Sequence, residues 1–361
     1  MQVFATILVS LCLAAKVHCQ ASEVVIDVQK EYGQVTSQSI SSAISKARGI
    51  FSQGHIAVVQ LPKGVYYLVS TLDLRNIRPS SGGRLVIRGS GIKSTILEIS
   101  IWKAFIKGRG VYHFSVEDLQ FRKSTPGVSQ GRVVSVKSGE VVLHIKPPFP
   151  GIDKIFNPSF GQGRYLRKYT NQDGDCKIIP ENNGQVAWRR YTDLGNGNWA
   201  IHLNNPRQRP NYEEGDLIGV KSKCCGAGIN NYWFCGGGDI AFERVSWLRQ
   251  SRGVLRCAIS NIRFTNVSVE REGREWCLST SDGGPQLGQP RDGGIENVVV
   301  DGLLAEGTGD DSVAFFNVVR GGVVKNSFIR DSFARGILLY RSGSDTVLSN
   351  NTLLRCPIQR H

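Results

Sequence analysis

Toward the C-terminal end of the chain, Gly309-Asp310-Asp311-Ser312-Val313-Ala314 sets two adjacent carboxylates where a turn enters an apolar, β-branched run. Adjacent carboxylates repel. Within a strand their side chains would alternate in direction. At the turn entering one, both can face the same groove, and their closeness raises one pKa and leaves a proton donor beside an anion. Glycoside hydrolysis needs that combination: an acid to protonate the leaving oxygen and a base to activate water. An Asp-Asp pair by itself is most often a solvated turn, so the case depends on what the rest of the chain does to position it.

Self-similarity supplies the frame. Val299-Val300-Asp301-Gly302-Leu303-Leu304 aligns with Val323-Val324-Lys325-Asn326-Ser327-Phe328, and that with Val347-Leu348-Ser349-Asn350-Asn351-Thr352, at an offset of 24 both times. Phe264 to Val269 fits the same frame with a longer spacing, Phe242 to Trp247 precedes it by 22 residues, and Val116 to Phe121 looks like an earlier copy. Short alternating strands at this period predict an all-β chain wound as a right-handed parallel β-helix. Leucine-rich repeats share the period but not the fixed leucine spacing. Turns of the helix stack about 4.8 Å apart, so equivalent positions form columns, and Asn326 over Asn350 is expected to be one.

These columns gather the candidate residues. One turn after Asp311 the offset places Arg335, able to hold a sugar hydroxyl or to steady the ionised carboxylate. Asp282, in Ser279-Thr280-Ser281-Asp282-Gly283-Gly284, precedes Asp310 by 28 residues. Removing a loop of about five residues within Pro285 to Pro290 restores one turn and brings Asp282 to the pair. A rival register, Asn266 against Asp301 at an offset of 35, stacks Glu275 on Asp310 instead; Asp282 is preferred and Glu275 kept second.

The 361-residue chain carries 44 Lys and Arg against 30 Asp and Glu, a formal charge of +14. That excludes an acidic disordered chain and favours anionic partners. An apolar run from Val3 to Ala15, followed by Val17-His18-Cys19 and Ala21, reads as a secretory signal over residues 1–20 that is too short to span a bilayer, and no later stretch approaches a membrane span. In the extracellular, oxidising compartment this implies, Cys176, Cys224, Cys225, Cys235, Cys257, Cys277 and Cys356 predict three disulfides and one thiol, with the pairing open. Cys224, Cys225 and Cys235 match no zinc pattern, and no metal is expected. Asn266-Val267-Ser268 and Asn350-Asn351-Thr352 are glycosylation sequons.

Residues 21–130 hold an N-terminal cap and the first turns. Ile40, Ala43, Ile44, Ala47 and Phe51 recur at helical spacing behind Thr36 and Ser37 as N-cap candidates, and strands are expected at Val24 to Val28, Ile56 to Leu61, Gly64 to Ser70, Leu85 to Gly89 and Thr95 to Ile99. Residues 131–223 break the period and read as a small β-rich insertion. Its Arg164, Arg167, Lys168, Arg189, Arg190, Arg207 and Arg209 lie amid Tyr165, Tyr169, Trp188 and Tyr191, a pattern suited to glycan contact or to plain solvated surface. Nucleic acid is not the expected partner of a secreted chain. Residues 224–361 carry the remaining turns and the candidate site. The chain ends at His361, within a turn of the Asn350 repeat, where a solenoid is expected to add a capping segment.

Ser-Thr-Ser-Asp-Gly (279 to 283), Gly-Asp-Asp-Ser-Val-Ala (309 to 314) and Ala-Arg-Gly-Ile-Leu-Leu (334 to 339) together resemble the motif series of β-helix, pectin-lyase-like glycosidases. Polygalacturonases carry Asn-Thr-Asp, Gly-Asp-Asp and Gly-His-Gly; here Arg335 stands at the histidine, and none of the six His falls between Asp282 and Leu354. The arginine version is closer to the α-1,3-galactosidases of blood-group B specificity, which also carry an Asp-Asp pair and a β-rich insertion. Leu61-Pro62-Lys63-Gly64-Val65-Tyr66 is similar to the opening of many pectin-degrading β-helices. The resemblance implies an inverting hydrolase of α-galactosidic or related glycan linkages, without cofactor or metal. In it Asp310 is general acid, Asp282 with Asp311 the base pair, and Arg335, Glu275, Asn317 and Arg341 the substrate-binding candidates. Two alternatives remain: a polygalacturonase-like enzyme or lyase on uronate chains, using a Lys or Arg base, and a glycan-binding protein that kept the scaffold without its activity.

Overall fold

The computed structural model of the chain describes residues 21–360 apart from 80–81, 157–163, 180–184, 223–231, 250–252, 289–293 and 343–344. The expected signal segment and Cys224 and Cys225 lie outside the described residues.

The repeats wind into a right-handed parallel β-helix with three sheets. The first sheet begins with Glu23–Asp27, Ile56–Gln60 and Arg84–Arg88 and ends with Val318–Lys325 and Val347–Ser349. The second runs from Gly64–Leu68 and Thr95–Ile99 to Phe328–Arg330 and Thr352–Leu354. The third includes Pro285–Leu287, Val313–Phe316, Ile337–Tyr340 and Ile358–Arg360. The spacing of 24 is realised in the register, with Val299 beside Val323 and Val323 beside Val347. Alternate residues point inward and stack turn on turn, as Phe242 does on Phe264 with ring centroids 5.3 Å apart and planes 4° from parallel.

Many bends between sheets place a residue in the left-handed region, which Asn and Gly enter at least cost. At one bend Asn266, Gly302, Asn326 and Asn350 occupy it in successive turns, with φ of 50°, 72°, 52° and 51°. Their polar side chains form the expected column: Asn350 Nδ2 donates to Asn326 Oδ1 at 2.7 Å, and Asn326 Nδ2 to Asp301 Oδ1 at 2.8 Å.

At the N-terminal end the first strand stops at Asp27, one residue earlier than expected, because its carboxylate accepts from the Lys30 amide and caps a short helix, Val28–Tyr32. The longer helix, Ser37–Phe51, starts at Thr36, whose hydroxyl accepts from the Ser39 amide in a reciprocal capping box. Its buried face is Ile40, Ala43, Ile44, Ala47 and Phe51, which closes the end of the helical core. No helix of the described residues is long and apolar enough to cross a membrane.

The insertion spans 128–221 and is a closed antiparallel barrel. Around it run Val128–Lys137, Glu140–His144, Asn198–Leu203, Val186–Gly195, Tyr165–Gln172 and Leu217–Lys221, the last pairing back to the first. Asp175–Ile178 adds a hairpin strand. Closure turns alternate residues into the barrel, so Trp188 is core beside Leu166, Ile201 and Leu203, and Tyr169 is buried where the barrel meets Trp276 and Phe333. These two aromatics are therefore packing, which corrects the expectation that they belong to a surface, whether glycan-contacting or plainly solvated.

Cys176 and Cys277 form a disulfide between the barrel hairpin and the β-helix, and Cys235 and Cys257 join consecutive turns. Cys235 is thereby unavailable to a metal. Among the described cysteines Cys356 is a free thiol.

Candidate active site

Register decides which carboxylates meet. Around the third sheet Gln286 lies beside Ala314 and Leu287 beside Phe315, an offset of 28, whereas Ile295 lies beside Val318, an offset of 23. The five extra residues therefore follow Leu287, and the segment holding Asp282 stays in step with the one holding Asp310. The backbone confirms the placement: the Gly309 amide donates to the Asp282 carbonyl at 3.0 Å, and the Gly284 amide to the Asp311 carbonyl at 3.2 Å. Gly283 is required here, since a Cβ on it would stand 1.9 Å from the Asp311 carbonyl oxygen.

Glu275 is not in this column. The offset is 36 where Ser268 lies beside Leu304 but 28 at Gln286, so eight additional residues leave the β-helix between Glu270 and Pro285. That excursion belongs to the contact with the barrel: Cys277 is in the disulfide, Trp276 packs edge-on against Phe149 with centroids 4.7 Å apart, and the Glu275 carbonyl accepts from Gln130 Nε2 at 2.8 Å. The Glu275 side chain is exposed beside Arg132, His144 and Lys146, lining a separate pocket of about 250 Å³. The rival register is thus not the one adopted.

Asp311 is 2% exposed and gripped by Arg335, whose Nε lies 2.5 Å from Oδ1 and Nη2 3.1 Å from Oδ2. A third guanidinium nitrogen, Nη1, donates to Gln359 Oε1 at 2.9 Å, holding the fork in place. Burial and the neighbouring Asp310 carboxylate nevertheless push the Asp311 pKa up to about 6, against the opposing pull of Arg335 and Lys221. Asp310 is half-buried at the turn, its carbonyl accepting from Thr308 Oγ1 at 3.0 Å. Below it, Thr308, Ser312 and Ser332 form a chain of hydroxyls at 2.7 and 2.6 Å across two turns. Asp282 is fully buried, its amide held by Thr280 Oγ1 at 2.9 Å.

Asn317 and Arg341 stand elsewhere. They follow Val313–Phe316 and Ile337–Tyr340 at the far end of each strand, where both adopt left-handed φ, 61° and 52°. Six residues of chain separate Asn317 from Asp311, roughly 20 Å when extended. The two are bend residues of the solenoid, not partners of the carboxylates.

Lys221 is the residue sequence reasoning missed. At the end of the barrel strand Leu217–Lys221 it is buried, donates to the Gly309 carbonyl, and lies 4.5 Å from the Phe333 ring centroid and 5.3 Å from that of Tyr165. A lysine closing the apolar run Leu217 to Val220 was the available signal, but only the tertiary fold shows that it reaches the Asp-Asp turn.

No family model matches the chain, and no curated protein does. Solved structures do. The A-module of the Azotobacter vinelandii mannuronan C-5 epimerase AlgE4 is similar at 11% identity with a TM-score of 0.47, covering 93% of this chain and 70% of its own. An alginate lyase from Paenibacillus sp. gives 10% identity and a TM-score of 0.49, over 92% and 76% of the two chains. The catalytic unit of a GH87 α-1,3-glucanase from Streptomyces thermodiastaticus gives 13% and 0.44, over 94% of this chain and 48% of that one.

Proposed function

We propose that the protein is a secreted glycoside hydrolase that cleaves α-galactosidic or related glycan linkages with inversion, using Asp310, Asp311 and Asp282. The observation that carries the reading is the Asp310–Asp311 pair itself, with Asp311 buried, locked to Arg335 and holding a proton up to a pH of about 6.

Exposure divides the roles. Asp310 is the member a sugar can reach, and it protonates the glycosidic oxygen as the bond from that oxygen to the anomeric carbon breaks. Water adds to the anomeric carbon from the opposite face and yields its proton to a carboxylate, for which Asp282, fully buried beside the Asp-Asp turn, is the candidate once the bound sugar opens a path to it. Asp311, with both oxygens engaged by Arg335, does not share the base role with Asp282 as expected; ionised above a pH of about 6, it acts on Asp310 through its charge. Arg335 accordingly steadies this carboxylate, the second of the two roles expected for it. The disulfides accord with an oxidising, extracellular setting.

The reading is tested by incubating the protein, beside Asp310→Asn, with α-galactosides, polygalacturonate and a broad glycan panel, following reducing ends, anomeric configuration and ultraviolet absorbance. The expected result is sugar released with inverted configuration by the wild type alone. Ultraviolet-absorbing products would replace the hydrolase by a lyase, and glycan binding without any product would replace it by a binding protein.

A further inference from the structure

A cleft of about 620 Å³ lies where the barrel meets the last turns of the β-helix. The barrel contributes Arg167 and Gln185 to its lining, and the β-helix Phe333, Ala334 and Arg355. The 24-residue register that sets Val313 beside Ile337 makes Ala334 the counterpart of Asp310 one turn on, so the cleft adjoins the candidate active site and offers a methyl group where that site has a carboxylate.

Several arginines around this junction are paired with carboxylates. Arg271 holds Asp175, Arg330 holds Glu306 and Asp175, Arg335 holds Asp311, and Arg355 holds Asp331 through contacts of 2.5 and 2.7 Å. Arg167 makes no ion pair among the described residues. Its Nε is buried without a hydrogen-bond partner, and its guanidinium carbon rests 5.2 Å from the Phe333 ring centroid. A half-buried cation without a counter-charge, its Nε donor closed off from water, is costly, and a planar guanidinium matches a carboxylate or a sulfate in two parallel hydrogen bonds. Arg355, neutralised by Asp331, leaves the cleft with a net positive charge from Arg167.

We infer that this cleft is a subsite for an anionic sugar residue, with Arg167 closing on its carboxylate or sulfate ester one turn from the bond that Asp310 addresses. The inference rests on the hydrolase reading for its place in the substrate, but not for the binding itself. Gln185, whose Nε2 donates to the Phe333 carbonyl at 3.2 Å, ties the barrel side of the cleft to the β-helix side and fixes its width.

Binding is measured so that turnover plays no part. Asp310→Asn protein is titrated calorimetrically with oligogalacturonate, with sulfated galacto-oligosaccharide and with neutral galacto-oligosaccharide, beside the double variant that also carries Arg167→Met. At least one anionic ligand should bind, and Arg167→Met should weaken it roughly tenfold or more while leaving neutral ligand within about twofold. The arm that binds tells uronate from sulfate. Equal weakening of neutral and anionic ligands, anionic ligands that bind no tighter than neutral ones, or no binding at all would overturn the inference. Should Arg167→Met fail to fold, the wild type carries the test through its melting temperature, which anionic but not neutral oligosaccharide should raise. Failure of the hydrolase reading is separately visible, as bound oligosaccharide that wild-type protein leaves intact.

Discussion

Lys221, on the last strand of the barrel, donates to the backbone carbonyl of Gly309, the residue immediately before Asp310. A residue of the insertion therefore supports the turn that presents the Asp-Asp pair, and its charge pulls the Asp311 pKa down against burial. Replacing it with Met should lower the rate about tenfold or more and move the Asp311 limb of the pH–rate profile upward from about 6. A change in rate with the limb unmoved would assign Lys221 to packing alone.

Asp310→Asn and Asp311→Asn should each reduce kcat by roughly 10²- to 10⁴-fold with circular dichroism unchanged. Asp311 also leaves a signature in stability. Its folded pKa is raised from 3.8 to about 6, so the stabilisation it gives is complete below its unfolded value and is lost as pH rises through about 6. The change amounts to roughly 3 kcal/mol at most. Melting temperatures between pH 4 and 7 should therefore fall in the wild type by an amount that Asp311→Asn removes.

Arg335→Met takes away the cation that favours ionised Asp311, and the pH limb should rise further than with Arg335→Lys, which keeps the charge but loses the two-pronged contact. The comparison of the two profiles separates charge from geometry. Identical profiles would show that the pair contributes only to packing.

At Gly283 a single methyl group would collide with the Asp311 carbonyl oxygen. Gly283→Ala should cost about 1–3 kcal/mol in urea unfolding and lower activity, because relief of the clash displaces the backbone that carries Asp311.

Breaking Cys176–Cys277, which spans 101 residues of sequence, should cost roughly 2–5 kcal/mol and loosen the barrel first. Hydrogen exchange on a Cys176→Ser, Cys277→Ser variant should show faster exchange at Tyr165–Gln172 and Leu217–Lys221 than in the β-helix strands.

The parts of the molecule readable in sequence are those in which spacing and contact coincide. The 24-residue repeat gave the partnership of Asp311 with Arg335 and that of Asn326 with Asn350, because parallel stacking converts a count along the chain into adjacency. Asp282 needed a loop to be discounted, and the loop lies just after Leu287, inside the segment set aside for it. Glu275 misled because its register was counted from Asn266 across eight residues that leave the helix to meet the barrel. Asn317 and Arg341 share a column with each other, but the column is a bend: Asn317 suits its left-handed backbone, whereas nothing about Arg341 announces it. Lys221 and Arg167 come from a barrel whose closure depends on pairing Tyr165–Gln172 with Leu217–Lys221, a long-range contact that alternation alone does not specify. The same closure makes Trp188 a core residue when its neighbours suggest a surface.

Among the described residues, added length enters the solenoid at its bends. The residues following Leu287, the excursion carrying Glu275, and the whole barrel between Ile106–Lys123 and Tyr232–Leu248 all enter where one sheet gives way to the next. A residue added inside Val313–Phe316 would instead turn the strand over, sending Phe315 outward and carrying Asp311 out of step with Arg335. The chain can thus change what surrounds its carboxylates freely, while the carboxylates themselves stay fixed by counting.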